Sequence, residues 1–100
     1  MRLQIKARQV NIAQDLRHLV DRRLTRLERL MNHNIVSAHM VLAREKNRYV
    51  AELTVHAKGD HILHGVGTTG SWGTSLTSAV SKVMQQAGKV KGKWKARKKG

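Results

Sequence analysis

The 100-residue sequence has no cysteine, no proline and no phenylalanine, and its only aromatic residues are Tyr49, Trp72 and Trp94. Without cysteine there is neither a disulfide framework nor a thiolate for nucleophilic or metal chemistry. Three aromatics are too few for a sheet face on which successive bases stack, the usual device of single-strand binders. Carboxylates are also scarce: six Asp and Glu stand against 20 Lys and Arg, and none follows Asp60. This leaves no paired acids and no nucleophile–base spacing, so the chain is expected not to be an enzyme and to have no small-molecule substrate and no cofactor. No apolar run approaches the roughly 18 residues of a membrane span, and residues 1–6 alternate rather than form a signal-peptide core. A soluble, cytoplasmic protein with no membrane partner is the expectation.

What the sequence does have is positive charge. A formal net charge of +14 on a chain that can bury one core and not two implies strong self-repulsion unless a polyanion compensates it. Nucleic acid is the commonest such partner.

The pattern of apolar residues divides the chain into six elements. Residues 2–8 alternate Leu3, Ile5 and Ala7 with Arg2, Gln4, Lys6 and Arg8, which predicts a strand with one wet face. Over 12–31, Leu16, Leu19, Val20, Leu24, Leu27, Leu30 and Met31 form one stripe at helical spacing, with Arg23 inside it. Asn11 and Gln14 resemble a capping box at the start, Asp15 suits the first turn, and Asn32-His33-Asn34 ends the helix. Residues 35–44 and 48–57 alternate as a hairpin about a turn at Glu45-Lys46. The expected inward sets are Val36, Ala38, Met40 and Leu42, then Tyr49, Ala51, Leu53, Val55 and Ala57, with Leu42 opposite Tyr49. A fourth strand, 61–67, could turn inward either Leu63, Gly65 and Gly67 or Ile62, His64 and Val66, and Leu63 inward is the expectation. A flexible loop over 68–74 leads to a second helix from about Ser75, with a stripe of Leu76, Ala79, Val80, Val83, Met84, Ala87, Val90 and Trp94. Gly88 and Gly92 should fray its end, leaving a domain over 1–94 and a basic tail over 95–100, expected to be disordered when free.

Two motifs fit site chemistry poorly. Gly65-x-Gly67-x-x-Gly70 matches a dinucleotide fingerprint, but the acidic residue and further parallel strand that it needs are missing, so small residues under a helix explain it better. His61 and His64, three apart on a strand, point to opposite faces and cannot close on one metal ion. A surface pairing of His39 with Glu52 across the hairpin is the expected role of those two residues.

The basic flanks carry more weight. His18, Arg22, Arg26 and Arg29 form a ridge beside the first stripe, and Lys82, Lys89 and Lys93 lie on the same angular flank of the second helix. One such flank is ordinary solvated surface. Two of them plus a basic tail point to phosphate binding of an electrostatic, weakly sequence-specific kind.

The order of elements, with this charge pattern, resembles the bacterial ribosome hibernation promoting factor and ribosome-associated inhibitor family. The matching residues are Leu16-Arg17, Val20, Arg23 and Arg26-Leu27-Glu28, then Val41-Leu42, Glu45-Lys46-Asn47, Ala51-Glu52, Thr54 and His56, and finally Lys82, Lys89 and Lys91. The resemblance implies an α+β fold, β-α-β-β-β-α, with two parallel helices on one face of a four-stranded sheet, similar to a double-stranded RNA-binding domain. It also implies a short form, without the C-terminal dimerisation domain of longer members, that occupies the mRNA and tRNA path of the small ribosomal subunit and silences idle ribosomes. The expected partner is the small subunit with its rRNA, and the free protein is expected to be a monomer. Arg22, Arg23, Arg26, Arg29, Lys82, Lys89, Lys91 and Lys93 are the candidate RNA-binding residues, with no catalytic and no metal-binding residues. The chain departs from the family where Ser71-Trp72-Gly73 replaces an acidic-Met-Tyr run, and where Thr77 and Ser81 replace acidic residues. Trp72 could stand in for the missing aromatic. The rival readings are a general double-stranded RNA binder, and a protein-interaction module using Ile35, Val41, Val50 and Ile62 on the outer sheet face.

Overall fold

Alternation at the start of the chain produces β1 (Arg2–Arg8), with Leu3, Ile5 and Ala7 half-buried and the residues between them exposed. A computed structural model describes residues 2–8 and 13–99, with side chains described as far as Lys89. After β1 come α1 (Gln14–Leu30), β2 (Ile35–Glu45), β3 (Arg48–Ala57), β4 (His61–Thr69) and α2 (Trp72–Lys99). The architecture is the expected α+β one: one four-stranded sheet in the order β1-β2-β3-β4, with β1 parallel to β2 and the other pairs antiparallel. Strands β1, β2 and β4 therefore share a direction. Each helix runs back against it, so the two helices lie parallel.

The inner residues of α1 and α2 join those of the sheet in one buried cluster, which includes Val20, Leu24, Leu27, Met40, Leu42, Leu53, Val55, Leu76 and Val83. Leu27 is fully buried at its centre. Leu27→Ala is expected to cost about 2–5 kcal/mol, the range for emptying a packed leucine site. Thermal melting checks this, and a loss below about 1 kcal/mol would contradict the packing of α1.

The ends of α1 differ in kind. Its N-cap is Ala13, in extended conformation and with no side-chain cap, while Asn11 of the expected capping box lies outside the described residues. At the other end Asn32 and His33 take left-handed φ values of 54° and 58°. The amide of Asn32 donates to the Arg29 carbonyl, and that of His33 to the Glu28 carbonyl, the double closure of a Schellman motif.

Several sheet details depart from expectation. A register irregularity between Ile35 and Ser37 turns Ile35 into the core and leaves Val36 57% exposed, the reverse of the alternation expected. The hairpin turns at Lys46-Asn47, with Lys46 at φ 52°, and Leu42 pairs with Ala51 rather than Tyr49. That two-residue difference preserves the faces, because strand side chains repeat every two residues. Glu52 lies opposite Val41 and Val66, and its carboxylate meets His64 at 3.0 Å instead of His39.

Leu63, Gly65 and Gly67 do face inward. The strand then continues to Thr69, so Thr68 and Thr69, expected in a loop, are in the sheet. Ser71 Oγ accepts from the Thr74 amide and starts α2 at Trp72, one turn before the expected Ser75. Ser75 is fully buried. Its hydroxyl donates to the Tyr49 carbonyl (2.6 Å) and accepts from the Thr69 amide (3.1 Å), tying the first turn of α2 to β3 and β4. Downstream, α2 passes through Gly88 and Gly92 without interruption, and its backbone is helical on both sides of the expected domain boundary at Trp94.

Candidate nucleic-acid interface

The layer of two helices sets the positions of the basic side chains. On α1, Arg22, Arg26 and Arg29 are exposed and Arg23 is half-buried. On α2, Lys82 and Lys89 are exposed, whereas the side chains of Lys91 and Lys93 lie outside the described residues, as do those of Val90 and Trp94. Because the helices are parallel, the same angular flank points to different places on each. Arg23 and Arg26 border the groove between the helices, together with Leu27, Leu30, Thr77, Val80, Ser81 and Met84. The lysine flank of α2 instead lies over the free edge of β4, where Lys82 Nζ donates to the Val66 carbonyl at 2.6 Å. Gln86, one turn on, donates to the His64 carbonyl (2.6 Å) and accepts from the His64 amide (2.9 Å).

The candidates therefore form two separated strips rather than one patch. Arg23 and Arg26 stand in the groove, Arg22 and Arg29 on the outward side of α1, and Lys82 and Lys89 along the β4 border. An Arg guanidinium can grip phosphate oxygens at two points, while a Lys ammonium acts as a point charge, so the groove strip has the more directional donors. Lys82 has already committed one of its three donors to the sheet edge.

Opposite the helices, the outer sheet face carries His39, His56, His64, Glu52 and the exposed Ile62 (64%), while Ile35, expected there, is buried. Among the described residues no group of three His, Asp or Glu could hold a metal ion. Among the described residues no helix is long and apolar enough to cross a membrane.

Trp72 packs its ring on Tyr49, edge to face with centroids 4.8 Å apart, and the Arg44 guanidinium lies over the Tyr49 ring, 5.5 Å from its centroid. This aromatic pair anchors the start of α2. Sequence reasoning missed the groove walls Thr77 and Ser81 and the anchors Ser75 and Gln86. The signal for the first two was present, since they lie one turn apart beside the α2 stripe.

The model of one family, described as Sigma 54 modulation protein / S30EA ribosomal protein, matches residues 3–95. The chain belongs to that family. The resemblance read from the order of elements and their charge pattern therefore holds, and the S30EA family gives the chain its place among ribosome-associated modulation and hibernation factors. Among solved structures, the S30EA-family chain is similar to a ribosomal subunit interface protein from Coxiella burnetii, at 20% identity and a TM-score of 0.84, covering 92% of this chain and 99% of that one. It is also similar to the N-terminal domain of Protein Y from Thermus thermophilus, at 21% identity and a TM-score of 0.77, covering 87% and 96%. At these identities the two likenesses establish the fold.

Proposed function

We propose that this protein is a ribosome-associated translation silencer. It docks its helical layer on small-subunit rRNA, occupies the mRNA and tRNA path by bulk and charge, and performs no chemical step. The observation that carries this reading is the pairing of S30EA family membership with a cationic helical layer that has no carboxylate on α2. The chemistry required is phosphate neutralisation by Arg22, Arg23, Arg26, Arg29, Lys82 and Lys89, with Lys91 and Lys93 as further candidates from the sequence. Free protein is monomeric and cytoplasmic, kept apart from other copies by its net charge.

The decisive experiment is co-sedimentation with purified small and large subunits over a range of salt. If about six cations neutralise phosphates, log affinity for the small subunit falls against log salt with a slope of roughly −4 to −5. A flat line excludes the RNA reading. Deleting residues 95–100 makes the slope shallower while binding persists, and equal slopes exclude a part for that basic run. Displacement by any long RNA duplex would favour a general double-stranded RNA binder. A second reading, protein docking on the outer sheet face, has in its favour the exposure of Val36 and Ile62 there, and it predicts salt-insensitive binding.

A further inference from the structure

Four large hydrophobic side chains are exposed among the described residues: Leu30, Val36, Ile62 and Met84. Two of them, Leu30 at 41% and Met84 at 39%, line one feature, the groove between α1 and α2. In a layer whose exposed surface is rich in Arg and Lys, this is a misplaced pair if the only ligand is a phosphate backbone. A regular A-form stem presents phosphates and hydroxyls, with its base faces hidden in the stack, and it gains nothing from a thioether and an isobutyl group.

The rest of the groove narrows the choice of occupant. Arg23 and Arg26 stand beside the apolar pair on the α1 wall, and the hydroxyl residues Thr77 and Ser81 are on the α2 wall. Thr77 Oγ1 spends its proton on the Gly73 carbonyl (2.9 Å), so its lone pairs remain for a donor. No carboxylate lines the groove. The combination is two guanidiniums, an apolar floor and a polar wall without negative charge. An apolar helix from a protein partner would leave the guanidiniums unmatched, whereas an unpaired nucleotide matches every part. Its base has flat faces suited to Leu30 and to the polarizable sulfur of Met84, its edge has donors and acceptors for hydroxyls, and its phosphate suits the two arginines.

We propose that the groove between α1 and α2 takes the base of an unpaired ribonucleotide, with its faces against Leu30 and Met84 and its phosphate on Arg23 and Arg26. This rests on the RNA-binding reading above and sharpens it, because it makes the protein a reader of single-stranded rRNA elements rather than of stems. The lysine strip over β4 then supplies charge, and the groove supplies the choice of site.

The test uses the full chain on purified small subunits. Met84 is replaced by its diazirine analogue photo-methionine, which preserves shape, and the crosslinked nucleotides are mapped after irradiation. Crosslinks concentrated on unpaired nucleotides are expected. In parallel, the Leu30→Asn/Met84→Gln variant is expected to lose about tenfold in affinity with an unchanged salt slope, since no cation is removed, and with an unchanged melting temperature. Crosslinks to base-paired nucleotides or to a ribosomal protein, no crosslink at all, or an unaltered affinity of the variant would each overturn the proposal while leaving rRNA binding in place. Failure of the unmodified protein to sediment with the small subunit would overturn both.

Discussion

Gly67→Ala is expected to lower the melting temperature by at least about 10 °C, equivalent to roughly 2 kcal/mol or more in a domain of this size. A Cβ at Gly67 would lie 2.0 Å from the carbonyl oxygen of Ser75 and 2.9 Å from its carbonyl carbon. Both are backbone atoms of α2, so no side chain can swing aside. The first turn of the helix must lift from β4, and the hydrogen bonds that Ser75 makes to Tyr49 and Thr69 go with it. Overpacking alone costs about 1–3 kcal/mol, and leaving buried polar groups unpaired adds to it. Gly88→Ala is the matched control. It lies in the same helix with open space around the added methyl, so it should stabilise by about 0.5–1 kcal/mol through helix propensity. Equal melting temperatures for the two variants would mean that α2 does not rest on β4 at Gly67.

Reversing charge at Arg26 and Lys89 together should weaken small-subunit association by about two to three orders of magnitude at physiological salt. Each neutralised phosphate contributes roughly 0.7–0.9 to the salt slope, and a reversal both removes a contact and adds a repulsion. Both side chains are exposed and off the buried stripes, so stability should move by no more than about 0.5 kcal/mol. Because the two residues stand on different strips, the single variants separate the strips. Arg26→Glu probes the groove and Lys89→Glu the β4 border, and near-additive losses in log affinity are expected for sites without shared partners. Co-sedimentation alongside circular dichroism checks this, and unchanged sedimentation with native spectra would remove the helical flanks from the interface.

Helices and sheet faces were legible in the sequence because each depends on a local period. The α1 stripe predicted Leu16, Val20, Leu24, Leu27 and Met31 as buried, and they are. Leu30 and Met84, at the margins of their stripes, are exposed and Leu19 is only half-buried: periodicity assigns an angle, but only the packing of the helices decides whether that angle is covered. Strand alternation also failed where the count of residues changes. The irregularity between Ile35 and Ser37 exchanges the faces of Val36 and Ile35, and no residue type there announces it. Strand β4 was ambiguous for a related reason, since glycines have no side chain with which to mark a face. The same glycines resolve it in three dimensions, because only hydrogen fits beneath Ala79 and Ser75. Gly70, the third glycine of the apparent fingerprint, meets nothing within 4 Å, so the motif divides into two packing positions and an unrelated one.

The basic residues were easy to find and hard to arrange. Charge content needs no structure, but the division of Arg23 and Arg26 from Lys82 and Lys89 follows from the parallel run of the helices, which depends on strand directions far away in sequence. Polar side chains such as Ser75 and Gln86 gave no hint of their partners, because those partners are backbone groups of other elements.

The hydrogen bonds from Lys82 and Gln86 to β4 have a consequence for behaviour at high concentration. An open sheet border is a template on which another chain can add a strand, the first step toward fibrils and insoluble assemblies. On β4 the exposed carbonyls of His64 and Val66 are already occupied by side chains of α2. The opposite border, β1, is guarded by charge instead, since Arg2, Lys6 and Arg8 repel an identical strand. One border has backbone groups occupied by side chains and the other carries charge, two different ways of discouraging strand addition.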